Sequence, residues 1–125
     1  MTSNICEKLI KKKWLRYNDA STVSRVGGLY VIGAKRPRAR AIRYLYLYLG
    51  QSIDVRDRIQ NHKYGAQKVD EFIKRNLKRN GGKDLRVKWV RDPNHKTNEG
   101  AYLRCVEQML GYKLKYNVIR GNSRN

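Results

Sequence analysis

The sequence predicts an α+β domain: a small three-stranded, mainly antiparallel sheet packed with helices. Three observations carry this expectation. Two apolar runs rich in Tyr, Leu, Val and Ile, at 27–33 and 44–49, flank Lys35-Arg36-Pro37-Arg38-Ala39-Arg40. A proline among charges cannot sit in a buried ladder, so the runs read as two paired strands. Leu85, Val87 and Trp89 alternate with Arg86, Lys88 and Val90, as a third strand would. Val69, Phe72, Ile73 and Leu77 recur at helical spacing, and so do Tyr102, Val106, Met109 and Leu110.

Each element follows in turn. Residues 3–17 predict a helix with Ile5, Leu9 and Ile10 on one side and Lys8, Lys11, Lys12, Lys13 and Arg16 around the rest; it reads as a phosphate-contacting arm or as a solvated helix covering the sheet. Residues 18–24 are a polar linker. In the second strand Leu45, Leu47 and Leu49 are expected on one face and Tyr44, Tyr46 and Tyr48 on the other. Ser52 is the expected N-cap of a helix through His62, on which Arg58 and His62 are four residues apart and share a face. A second helix over 66–79 stops at Asn80-Gly81-Gly82, and Thr97 is the expected cap of a third, over 98–111. The division is an N-terminal basic helix and linker over 1–24, a main domain over 25–120 and a loose tail over 121–125.

Composition narrows the classes of function. A chain of 125 residues makes one domain, and 29 Lys plus Arg against 10 Asp plus Glu give a formal charge of +19. Such a chain repels itself until an acidic partner neutralises it, so nucleic acid is the first partner expected and an anionic membrane surface the second. No apolar run approaches a spanning length, and Glu7 with a lysine run replaces the apolar core of a signal peptide, so an intracellular protein is expected, nuclear in a eukaryote. Cys6 and Cys105 stand alone and read as free buried thiols of a reducing compartment. With only His62 and His95 beside them, a structural zinc site has no ligand spacing to rest on.

Gly28-Leu29-Tyr30 and Tyr48-Leu49-Gly50, followed ten residues after Tyr48 by Arg58 and four later by His62, resemble the GIY-YIG nucleases. Glu107, in an apolar helical stretch, and the closing Tyr116-Asn117-Val118 fall where that family places its metal-binding glutamate and terminal asparagine, so the likeness runs from Gly27 to Ile119. Both tripeptides carry Leu where the family's name has Ile, and the loop between the strands is longer than usual for it. The resemblance implies a GIY-YIG type sandwich and a metal-dependent endonuclease that hydrolyses DNA phosphodiester bonds. It implies that Tyr30 positions or deprotonates the attacking water, Tyr48 helps to orient it, Arg58 binds the scissile phosphate and His62 hydrogen-bonds near Tyr30 and takes its proton. It assigns Glu107 to Mg²⁺ or Mn²⁺, and Asn117 to a cross-link between the last turn and the active-site strand.

The chemistry is coherent with that assignment. A phenol with a pKa of about 10 is a poor base at neutral pH, so Tyr30 needs a proton acceptor or a positive field. A hard divalent ion is held through one or two carboxylates while water and phosphate fill its other positions. Glu99, earlier in the same helix, competes with Glu107 for this role; Glu107 is preferred because an acid amid apolar side chains is costly without a partner. Lys35, Arg36, Arg38, Arg40 and Arg43 are the expected grip on a phosphate backbone, or a nuclear-import signal. Each residue also has an ordinary structural role open to it, and the alternative function is a non-catalytic basic module that binds nucleic acid on the same fold. RNA is not separated from DNA by these features, and cutting both strands with one site requires a homodimer or two sequential nicks.

Overall fold

The alternating segments become strands of one antiparallel sheet, and the helical stripes cover both of its faces. The structure is a computed structural model that describes residues 4–37 and 42–117. In chain order the elements are α1 (Glu7–Lys11), β1 (Leu15–Arg16), a 3₁₀ segment (Tyr17–Thr22), β2 (Gly28–Pro37), β3 (Ile42–Ser52), α2 (Val55–Asn61) with a 3₁₀ turn (His62–Tyr64), α3 (Lys68–Asn80), β4 (Leu85–Arg91) and α4 (His95–Leu110). The strands lie in the order β1-β4-β2-β3. The α+β class is as expected, with four strands rather than three. The added strand comes from the stretch expected to be one helix over 3–17: Lys12 leaves α1 in extended conformation and Leu15 pairs with Val87.

Two apolar layers flank the sheet. On one face Tyr17, Ala20 and Val23 join Val55 and Ile59 of α2 and Val69, Phe72 and Ile73 of α3 against Tyr30, Ile32 and Leu47. On the other, Cys6 just before α1, Leu9 of α1 and Tyr102 and Val106 of α4 pack against Leu29, Val31, Tyr46 and Leu49. Residues of the 1–24 stretch thus enter both layers. Because both faces are covered, Lys88 is buried where an outward residue was expected. Its ammonium donates to the Ile10 carbonyl at 2.8 Å and to the Tyr46 hydroxyl at 2.5 Å, over the rings of Trp14 and Tyr46. Burial lowers its pKa to about 8.

The faces of β3 also depart from simple alternation. The pairing of β2 with β3 shifts register between Ile32 and Gly33, whose partners are Tyr48 and Tyr46, so Leu47 is the extra residue of a bulge. Tyr48, Leu47 and Leu45 consequently contact one layer, while Leu49 and Tyr46 contact the other. The single leucine face is corrected to two mixed faces. The regular pairing of Tyr30 with Gly50 and of Ile32 with Tyr48 keeps Tyr48 on the face of Tyr30, and the bulge turns Tyr46 to the other.

Local caps correct two further expectations. The side chain of Asp54, not Ser52, caps α2 by accepting from Asp57 N–H at 3.0 Å, while Ser52 Oγ accepts from Asp54 N–H at 3.0 Å. The last helix begins at His95 after Asn94, ahead of Thr97. Past α4, the tail turns back along the open edge of β3: Tyr116 N–H donates to the Leu47 carbonyl at 2.9 Å, and Asn117 accepts from Leu49 N–H at 2.8 Å and donates to the Leu49 carbonyl at 2.9 Å. A side-chain amide thus stands in for a fifth strand. The tail expected over 121–125 lies outside the described residues, as do Arg38 and Arg40 of the basic loop.

The cysteines are paired. α1 and α4 share one face of the sheet, which brings the Cα atoms of Cys6 and Cys105 to 5.9 Å, and the two form a disulfide, correcting the expectation of free thiols. A cross-link between positions 99 residues apart restricts the unfolded chain strongly. Reduction, or Cys6→Ala with Cys105→Ala, is expected to lower stability by about 3 kcal/mol. Denaturant melts with and without reductant, beside thiol counting of the unfolded protein, check this.

Candidate active site

Tyr30 sits early in β2, its side chain 1% exposed, with its hydroxyl 2.7 Å from His62 Nε2. His62 follows α2 directly and is fully buried, and its Nδ1 lies 2.5 Å from Asp70 Oδ1 on the first turn of α3. A carboxylate can only accept, so the Nδ1 proton points at Asp70 and the Nε2 lone pair faces Tyr30, whose O–H donates to it. The second oxygen of Asp70 accepts the Gln67 backbone N–H at 2.9 Å at the start of α3. The carboxylate is therefore fixed at both ends.

Two glycines make room for this chain. A β-carbon on Gly50 would stand 2.5 Å from the Tyr30 hydroxyl, and one on Gly65 would overlap the Asp70 carboxylate. The Tyr-Leu-Gly tripeptide is thus a steric pair: the phenol of one strand lies across the bare backbone of the next. Tyr48 stands beside both partners, its ring centre 6.3 Å from that of Tyr30 and 5.5 Å from that of His62.

The electrostatics separate donor from acceptor. Burial drives the Tyr30 pKa well above that of a free phenol, with Tyr48 adding to the rise and the Arg58 guanidinium opposing it. Tyr48 is raised by burial too, against the lowering effect of Arg58. Burial lowers the His62 pKa, outweighing the Asp70 hydrogen bond that raises it, and Arg58 lowers it further. At neutral pH the phenols are protonated and the imidazole is neutral, a donor facing an acceptor. Arg58 is half-buried on α2 and donates to Gln67 Oε1 at 3.4 Å.

Tyr48, Gln67, Glu99, Tyr116 and Asn117 line a cavity of about 350 Å³. A larger cavity of about 570 Å³, between Gln51 and Thr97 at the start of α4, has none of the tyrosines in its lining. Glu99 is half-buried, and burial raises its pKa. Its charge adds to the raised pKa of both tyrosines, which places it in their field. Glu107 lies two turns on, about 12 Å along the α4 axis. Its Oε2 accepts the Leu114 N–H at 2.7 Å, so its carboxylate holds the chain beyond α4 and is not among the residues lining the tyrosine cavity.

Of the residues singled out from the sequence, Tyr30, Tyr48, Arg58, His62 and Asn117 come together, and Glu107 does not join them. Glu99, its competitor in the sequence, lines the cavity beside Tyr48 instead. Asp70 was missed. Its signal was an acid beside the apolar positions Val69, Phe72 and Ile73, eight residues after His62. Lys35, Arg36 and Arg43 lie at the far end of the β2–β3 hairpin, about 20 Å along the strand from Tyr30. Among the described residues no group of three or more His, Cys, Asp or Glu gathers as a metal cluster, so the donor set at the cavity is one carboxylate, Glu99. A single hard oxygen donor with open space around it fits a divalent ion that keeps its waters. The chain matches no protein-family model, no curated protein and no solved structure.

Two outcomes follow. In NMR titration of the imidazole protons, His62 is expected to titrate below 6.5, and lower still in Asp70→Asn, since the lost charge had raised it. The folded-state pKa lies below the unfolded one, so the unfolded chain takes up the proton first as pH falls; this contribution to stability is intact above pH 6.5 and is lost below it. Gly50→Ala is expected to cost about 1–3 kcal/mol by displacing Tyr30, read by urea denaturation beside the wild type.

Proposed function

We propose that this chain is a metal-dependent endonuclease of GIY-YIG type that hydrolyses DNA phosphodiester bonds, with Tyr30, Tyr48, Arg58, His62, Glu99 and Asn117 at its active site. The observation that carries this reading is the buried chain Asp70–His62–Tyr30, with Tyr48 packed beside it and lining a cavity that holds one carboxylate. A buried donor–acceptor series ending on a phenol is costly to assemble for packing alone. It suits proton transfer.

In this reading, Tyr30 takes the proton from the attacking water as its own passes to His62 Nε2, and Asp70 stabilises the imidazolium that results. Because burial opposes the phenolate, the proton must leave as the water attacks, and His62 is placed to receive it. Tyr48 orients the water from the adjacent strand. Arg58, free of any carboxylate partner within ion-pair distance among the described residues, binds the scissile phosphate. Mg²⁺ or Mn²⁺ held by Glu99 would supply charge stabilisation for the leaving 3′-oxygen. Asn117 acts indirectly, holding the β3 edge that carries Tyr48. The alternative, a basic module that binds without cutting, shares the +19 charge but leaves this chain of groups without a task. No helix among the described residues is long and apolar enough to cross a membrane.

The deciding test is nicking of supercoiled plasmid with Mg²⁺ or EDTA. Tyr30→Phe, Arg58→Ala and Glu99→Gln are each expected to lose about 10²-fold or more, while Glu107→Gln keeps activity within a few-fold. Nicking by wild type should fall as pH drops through the His62 pKa, because an imidazolium cannot accept from Tyr30; in Asp70→Asn this acid limb moves to lower pH. Metal-independent nicking, or full activity in Tyr30→Phe, refutes the reading.

A further inference from the structure

The cavity beside Tyr48 does not end at the site. Lys68 and Tyr116, in its lining, also line a second depression with Glu71, Arg75 and Lys115, and Arg75, Lys115 and Tyr116 continue into a groove of about 660 Å³ that reaches Phe72, Arg79 and Arg36. Tyr116 is common to all three. Its ring packs on Phe72 with centres 5.4 Å apart, and the Lys115 ammonium sits 5.5 Å from its centre.

The helix sets the walls of this track. Lys68, Arg75 and Arg79 are spaced seven and four residues apart on α3, which aligns them on one face over about 16 Å. Arg36 comes from β2, at the hairpin end expected to grip phosphate. Arg36, Arg75, Arg79 and Lys115 are exposed, and among the described residues lining the two outer depressions Glu71 is the one acid, 3.5 Å from Lys74. The track is therefore cationic along its walls and aromatic along its floor.

We infer that this groove is a binding track for a single-stranded nucleic-acid arm that leads into the active site, so that the substrate is a junction between paired and unpaired nucleic acid. A duplex turns its phosphates outward and keeps its bases stacked inside, so an aromatic floor gains nothing from it. An unpaired strand offers both: phosphates for the Arg and Lys walls and base faces for Tyr116. The inference rests on the nuclease reading for what happens at the inner end of the track, but the track itself is read by binding alone.

The experiment measures anisotropy of labelled oligonucleotides in EDTA, where no cleavage intervenes, for a blunt duplex, the same duplex with an unpaired thymidine arm, and the same duplex with an abasic arm of equal length. The thymidine-armed duplex is expected to bind about tenfold tighter than the blunt one, with the abasic arm between them. Tyr116→Ala should bring the thymidine arm down to the abasic level and Tyr116→Phe should not, because the ring is what stacks. Arg75→Ala with Lys115→Ala, both at exposed positions, should reduce the advantage of both arms while leaving blunt-duplex binding nearly unchanged. Equal binding of armed and blunt duplexes overturns the inference, as does an arm advantage that survives both sets of variants. An arm advantage in a protein that nicks nothing keeps the track and refutes only the nuclease.

Discussion

The hydrogen bonds from Asp70 through His62 to Tyr30 tie together three elements that the sheet alone would leave independent: β2, the turn after α2, and the start of α3. All three groups are buried, so each costs free energy unless its partner is in place. This explains features that otherwise look unrelated. Gly50 is bare because the phenol crosses it, Gly65 because the carboxylate approaches it, and the Gln67 N–H faces inward because Asp70 needs a second donor. Replacing one member would strand the others without partners, so the chain can persist only as a set. A set of this kind also fixes the direction of proton movement, from the phenol toward the carboxylate.

Much of the fold was legible because apolar periodicity reports directly on burial. The stripes of α3 and α4 and the alternation of β4 translate largely into buried positions, but Met109 of the α4 stripe is exposed, and Lys88 and Val90 are buried on the other side of the β4 alternation. What failed to show was whatever depends on a neighbour distant in the chain. β1 is two residues long and exists because Leu15 finds Val87. The Leu47 bulge depends on the register between two strands, which no pattern within one strand encodes. The Cys6–Cys105 pair depends on two helices sharing a face of the sheet. The disulfide also removes the cysteine argument for a reducing compartment.

The site divides along the same line. Tyr30, Tyr48, Arg58 and His62 were visible because short, fixed spacings on adjacent elements bring them together. The register matters here: the uninterrupted pairing of Tyr30 with Gly50 and of Ile32 with Tyr48 keeps Tyr48 on the face of Tyr30 and His62, and the bulge beyond it turns Tyr46 to the opposite layer. Asp70 was hidden for a different reason. On a helix rich in charge, an acid in the first turn already has an ordinary explanation in the helix dipole, and only burial distinguishes it.

The two glutamates of α4 show why chemical environment in sequence is a poor guide to role. Glu107 has apolar neighbours in sequence, which suggested a buried acid in need of a function; its need is met by the Leu114 backbone N–H, a local clasp at the end of the helix. Glu99 stands near Lys96, Asn98 and Gly100 in the sequence and looks like a solvated residue of a first helical turn, yet burial raises its pKa. A carboxylate held in a half-buried cavity beside two raised phenols is poorly satisfied by the protein alone, and a divalent cation or a cationic partner would restore its preference for the charged form. The same cation would draw both phenol pKa values down, toward the range where Tyr30 can surrender its proton to His62. In the proposed reaction the carboxylate that raises the tyrosines in the free protein, Glu99, is thus the one whose neutralisation by metal would ready them.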